Sequence, residues 1–157
     1  MQLSPNFTLA QFTRSDTARE RGLSNAPGPE HLAHLRLLAA ALEEVQALLG
    51  APLIISSGYR SPILNAAVGG VPHSLHALGL AADFVCPAYG TPLQAARAIA
   101  TSAIAFDQMI HEFGRWVHFG LARPGAAPRR ELLTICSSAA DYLDGLHECP
   151  PRTQAGG

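Results

Sequence analysis

The chain has 157 residues, of which 48% are apolar and 15% charged, and a formal net charge of -1. That length fits one typical domain with ample material for a core. The near-neutral balance leaves no basic footprint for nucleic acid and no polybasic attraction to an anionic membrane or wall.

At the start, Met1-Gln2-Leu3-Ser4-Pro5 lacks the basic head and apolar core of a signal peptide. Residues 1–29 read as irregular, ending in the turn-rich Ser24-Asn25-Ala26-Pro27-Gly28-Pro29. The spacing of Leu32, Leu35, Leu38, Leu42, Val45 and Leu49 predicts a packing helix over 30–49, with Pro29 in its first turn and Gly50 at its stop. His31 and His34 open that helix and read as exposed. This most apolar stretch is broken by Glu43 and Glu44 and is too short to span a membrane. The expectation is a protein made in the cytoplasm, which acts at the cell wall only after release.

Leu53 to Ser57 reads as a buried strand, followed by a turn from Gly58 to Pro62. Residues 63–75 mix a short helix with a Gly69-Gly70 loop, and Leu80 to Val85 reads as a second strand. Thr91 caps a helix from Pro92 to Thr101. Asp107–Glu112 and Trp116–Leu121 read as a hairpin closed at Phe113-Gly114-Arg115. Leu132 to Leu146 carries weaker signals for a short strand and a helical turn, and 150–157 reads as a disordered tail. The order gives an α+β fold with a small antiparallel sheet and flanking helices, in one domain over 1–149.

Cys86, Cys136 and Cys149 are an odd, sparse set with no CxxC pair. They read as reduced structural thiols. Cys136 and Cys149 could pair under oxidation, though nothing in the sequence requires it.

Two histidines and a carboxylate stand out by spacing. His76 lies seven residues before Asp83, and His118 lies 35 after it. A His on a loop, an Asp on the strand leaving it and a His on a neighbouring strand can meet at one point. Zinc accepts imidazole nitrogen and carboxylate oxygen, and catalytic sites use three such ligands. Spacing alone also allows a loop His, a turn-capping Asp and a half-buried His with no metal.

The surrounding run narrows that choice. Ser57-Gly58-Tyr59-Arg60-Ser61-Pro62, Asn65, Val68-Gly69-Gly70, the segment Ser74-Leu75-His76 to Ala82-Asp83, and Trp116-Val117-His118 follow in order. Over about 6–121 this pattern resembles the zinc D-Ala-D-Ala carboxypeptidase family, which includes phage-type peptidoglycan endopeptidases. Phe7-Thr8-Leu9 and Asn25-Ala26-Pro27 are also similar to that family's N-terminal segment.

The resemblance implies the fold shared with the Hedgehog signalling domain. It implies one Zn²⁺ held by His76, Asp83 and His118, with peptidoglycan stem peptides as substrate. Arg60 matches an arginine that holds substrate and polarises the scissile carbonyl, and Ser74 a hydroxyl residue that contacts substrate. The bond cleaved would follow D-Ala or join L-Ala to D-Glu, in a carboxypeptidase or a phage or prophage lysis enzyme. The rival is a zinc-containing binding module of the same fold without catalysis. It rests on Arg115, which stands where many relatives place an acid and cannot take a proton.

Glu112 is then the candidate general base, with His111 and Asp107 as alternatives. Hairpin register decides, because one residue of slip exchanges the faces of a strand. A three-residue loop pairs Glu112 with Trp116 and puts it on the face of His118. A two-residue turn pairs His111 with His118 instead. Gln108 shares a face with Glu112 and is a further substrate contact. Trp116 reads as a wall of the site, Tyr59 as structural, and His73 as a cleft or surface residue.

Overall fold

The structure is a computed structural model that describes residues 1–151. Most of the tail expected at 150–157 therefore lies outside the described residues. Two short helices, α1 (Leu9–Thr13) and α2 (Asp16–Arg21), replace the irregular start expected over 1–29. Their signals are local. The Gln11 side chain accepts the Thr8 amide at 2.7 Å, and Ser15 Oγ accepts the Ala18 amide before Gly22 ends α2 in the left-handed region.

The long helix α3 (Pro29–Leu49) forms where the spacing predicts it. It buries Leu35, Leu38, Ala39, Leu42, Val45 and Leu49. His31 and His34 are half-buried rather than exposed. The His31 ring lies 3.2 Å from the Tyr59 hydroxyl, and His34 Nδ1 donates to the Leu78 carbonyl at 2.7 Å. Both tie α3 to the segments that build the site.

Next come β1 (Ile54–Ser57), α4 (Pro62–Ala67), α5 (Leu75–Leu78), β2 (Ala81–Val85) and α6 (Pro92–Ala100). The hairpin β3 (Gln108–Glu112) and β4 (Trp116–Gly120) follows, then β5 (Glu131–Ile135) and β6 (Leu143–Asp144). The fold is α+β. Its sheet has six strands in the order β1-β2-β4-β3-β5-β6 and is mixed, because β5 runs parallel to β3. The purely antiparallel sheet expected from the sequence is broken at the β3–β5 pair alone; the other pairings are antiparallel. A second strand, β6, stands where a helical turn was expected after β5.

Alternation along the strands divides the sheet into two faces. Ala82, Phe84, Met109, Val117 and Phe119 join α3 and α6 in the core. Asp83, Ile110, Glu112 and His118 lie on the opposite face. No helix among the described residues is long and apolar enough to cross a membrane.

Cys136 and Cys149 are disulfide-bonded, which corrects the reading of three reduced thiols. The fold brings their Cα atoms to 5.3 Å, within bridging range. Cys86 is the buried free thiol.

Candidate metal centre

Strand register brings two members of the triad together. Asp83 on β2 pairs directly with His118 on β4. The third, His76, sits on the single-turn helix α5 rather than on a loop. Ser74 caps that turn, its Oγ accepting the His76 amide at 3.2 Å, and Gly79 closes it at φ 76°. Gly79 suits that conformation because it has no Cβ to clash.

His76 Nδ1 lies 2.8 Å from the Gly58 carbonyl. A carbonyl only accepts, so Nδ1 carries a proton, and Nε2 is the nitrogen that would present a lone pair to a metal. That Nε2 lies 3.2 Å from Asp83 Oδ1 and 3.2 Å from His118 Nδ1, and the last two are 2.9 Å apart. Neighbouring ligand atoms of a tetrahedral zinc, with bonds of about 2.0–2.1 Å, are separated by about 3.3 Å. The triangle fits that ion, and all three side chains are buried. Burial alone would raise the pKa of Asp83. The charges and hydrogen bonds of His76 and His118 reverse this and hold its carboxyl well below the usual range. A buried carboxylate and two imidazole nitrogens converging on one point suit a divalent cation.

Gly58 makes this geometry possible. A Cβ there would stand 2.5 Å from the Phe12 carbonyl oxygen and 2.8 Å from the Phe12 Cα. The close approach lets the Tyr59 amide donate to Phe12 at 2.7 Å while the Gly58 carbonyl faces His76.

The hairpin adopts the three-residue loop. Glu112 pairs with Trp116, Ile110 with His118, and His111 with Val117. Glu112 therefore shares the metal-centre face. Burial and the charge of Asp83 raise its pKa, against the pull of His118, Trp116 and Arg60. His111 faces away, donating through Nδ1 to the His147 carbonyl at 2.9 Å. Asp107 is tied to Arg129, with Nη2 to Oδ2 at 2.8 Å. Both alternative bases are thus already engaged by other groups.

A cleft of about 560 Å³ opens over the triad, with Arg60, Ser74, Gln108 and Glu112 on its lining. Arg60 is half-buried. Desolvation lowers its pKa, and the charges of Asp83 and Glu112 partly restore it. Its Nη1 donates to Asn65 Oδ1 at 3.2 Å, and its amide donates to the His76 carbonyl at 3.1 Å. Gln108 Nε2 donates to Glu131 at 2.7 Å, so it reaches the cleft already partnered. Trp116 does not line the cleft. Its ring meets Phe113 edge-on at 5.3 Å, and its buried Nε1–H sits beside Glu112 without closing a hydrogen bond.

Two asparagines that the sequence reading assigned no role hold these parts in place. Asn25 donates to the Thr13 and Tyr59 carbonyls and accepts the Ser61 amide. Asn65, buried, spans Arg60 and the Val71 carbonyl. Both occur in the motif run, and an amide that can donate and accept at once was the available signal.

No curated protein matches the chain. A family model described as Peptidase M15 matches residues 5–120, from before α1 to the last residue of β4. That span holds most of the chain and all three triad residues, and the chain belongs to this family of zinc-dependent peptidases.

Proposed function

We propose that the chain hydrolyses a peptide bond in peptidoglycan stem peptides, with Zn²⁺ held by His76 Nε2, Asp83 Oδ1 and His118 Nδ1. The observation that carries this reading is Glu112. A carboxylate with a raised pKa lies on the same sheet face as a buried triad of metal-ligand type.

Zinc, when bound, acidifies a water and polarises a carbonyl. Glu112 takes the proton of the attacking water on its carboxylate and returns it to the leaving amine. Its raised pKa suits both transfers better than an ordinary carboxylate would. Arg60 presents its guanidinium to a substrate carboxylate or to the developing oxyanion, oriented by Asn65. The Gly58 carbonyl keeps His76 in one tautomer. Ser74 contributes first by capping α5, and its place on the cleft lining leaves it in reach of the peptide backbone. Gln108 borders the same lining. Trp116 acts through Glu112, its nearby Nε1–H favouring the ionised carboxylate.

The test is incubation of zinc-loaded protein with peptidoglycan, followed by mass spectrometry of the products. New amine termini are expected, and their masses name the bond, whether after D-Ala or between L-Ala and D-Glu. No cleavage at mildly acidic, neutral or mildly basic pH would favour the non-catalytic module. A role in lysis after release from a cell would show as clearing of intact walls by added protein.

A further inference from the structure

The family match ends with β4, and within it the outer edge of β3 has no partner strand. The residues that follow cover that edge. β5 runs alongside β3 from Gln108↔Glu131 to Glu112↔Ile135, and β6 pairs outside it. This changes the cleft. Its lining draws on the loop after α4, with Gly70 and His73, and on the added segment, with Arg129 and Tyr142. The added segment thus contributes lining residues to the cleft over the metal centre.

Tyr142 is held in place by several tethers. It lies in the loop closed by the Cys136–Cys149 disulfide. Thr134 Oγ1, from β5, donates to the Gly145 carbonyl at 2.8 Å and accepts the His147 amide at 3.0 Å. His111 Nδ1 donates to the His147 carbonyl from the sheet's other face. Yet Tyr142 is 55% exposed and stands outside the hydrophobic core cluster. It stands near Glu112, whose charge joins partial burial in raising the phenol's pKa. A crosslinked loop thus presents an unpacked aromatic ring to the cleft beside the candidate base. Such a ring offers a rigid apolar face at little entropic cost.

We infer that residues 121–151 are a substrate-selecting wall and that Tyr142 is its contact residue, packing against the peptide beside the scissile bond, with the Cys136–Cys149 disulfide fixing its position. The identity of the ligand rests on the peptidase reading above.

The test uses zinc-loaded protein carrying Glu112→Gln to arrest turnover, and calorimetric titration with a synthetic stem peptide. Adding Tyr142→Ala is expected to weaken binding about tenfold, and Tyr142→Phe to restore most of the loss. Reducing the disulfide with a phosphine should weaken binding similarly and add nothing once Tyr142 is Ala. Bound zinc should be equal throughout, which excludes a general loss of fold. Unchanged affinity in Tyr142→Ala would overturn the inference. So would a reduction effect that persists undiminished in Tyr142→Ala. Binding with normal Tyr142 dependence, but no hydrolysis by protein with Glu112 intact, would sink the peptidase reading and leave the wall standing. Hydrolysis with kcat/KM indifferent to Tyr142→Ala would sink the wall alone. Absence of any peptide binding would overturn both.

Discussion

Glu112 stands directly opposite Trp116 across the β3–β4 turn, and this pairing puts its carboxylate on the face that carries His118. Had the turn been one residue shorter, His111 would hold that place. Glu112→Gln keeps the shape and removes the proton acceptor. Turnover of a stem peptide is expected to fall about 10²- to 10⁴-fold, with bound zinc unchanged. Parallel measurement of kcat and metal content checks this. A kcat within a few-fold of the parent would remove Glu112 from the role of base.

The metal triad makes a separate prediction. His76→Ala, Asp83→Ala and His118→Ala each delete one corner of a triangle whose sides are 2.9–3.2 Å. Each should lose stoichiometric zinc. In the parent, zinc should raise the thermal midpoint, since a ligand at 100 times its Kd adds about 2.7 kcal/mol. The variants should show no such rise. Full metal content in any one of them would take that residue out of the site.

How much of this was legible in the sequence depended on the range of the interaction. α3 follows from apolar spacing alone, and the hairpin strands from alternation. The triad needed the ordered motifs around it, because seven histidines make chance spacings common. α1 and α2 were missed although Thr8 with Gln11, and Ser15 with Gly22, are ordinary helix boundaries. The helices are only five and six residues long, too short to show a period. The turn register was out of reach for another reason. Phe113 takes φ 59°, a conformation an aromatic residue rarely adopts, and its amide donates to the Ile135 carbonyl of β5. A strand later in the chain thus helps set the loop that places Glu112. The disulfide and the parallel β3–β5 pairing are likewise long-range facts without a local sequence signal.

Gly58 tests whether backbone geometry tunes the metal site. In Gly58→Ala the new methyl meets backbone atoms of Phe12, which cannot swing aside as a side chain would. Either α1 retreats or the Gly58 carbonyl turns away from His76 Nδ1. The expected cost is about 1–3 kcal/mol in urea unfolding of the metal-free protein. Zinc affinity should also fall about 10- to 100-fold, as it does when the partner of a metal-bound imidazole is lost. Wild-type affinity together with wild-type stability would show that the Gly58–Phe12 contact is not constraining.

The Asp107–Arg129 ion pair on the cleft lining gives a pH dependence. Hydrogen bonds from Arg129 hold the carboxyl of Asp107 below the usual range, against a smaller upward push from burial. A depressed carboxylate contributes stability above its unfolded pKa, about 3.9. That contribution declines as pH falls through the folded value, because the unfolded chain then binds the extra proton first. Arg129 is 58% exposed, so solvent screening limits the pair to about 1 kcal/mol. Asp107→Asn should therefore be less stable than its parent at pH 7, by a shift readable in the urea midpoint. The gap should narrow steadily below pH about 4. The comparison is best made in metal-free protein, so that protonation of the triad's own ligands, common to both proteins, cancels. A gap that is constant from pH 7 to below 3 would mean that Asp107 acts through packing or its accepted backbone hydrogen bond from Arg129, and not through its charge.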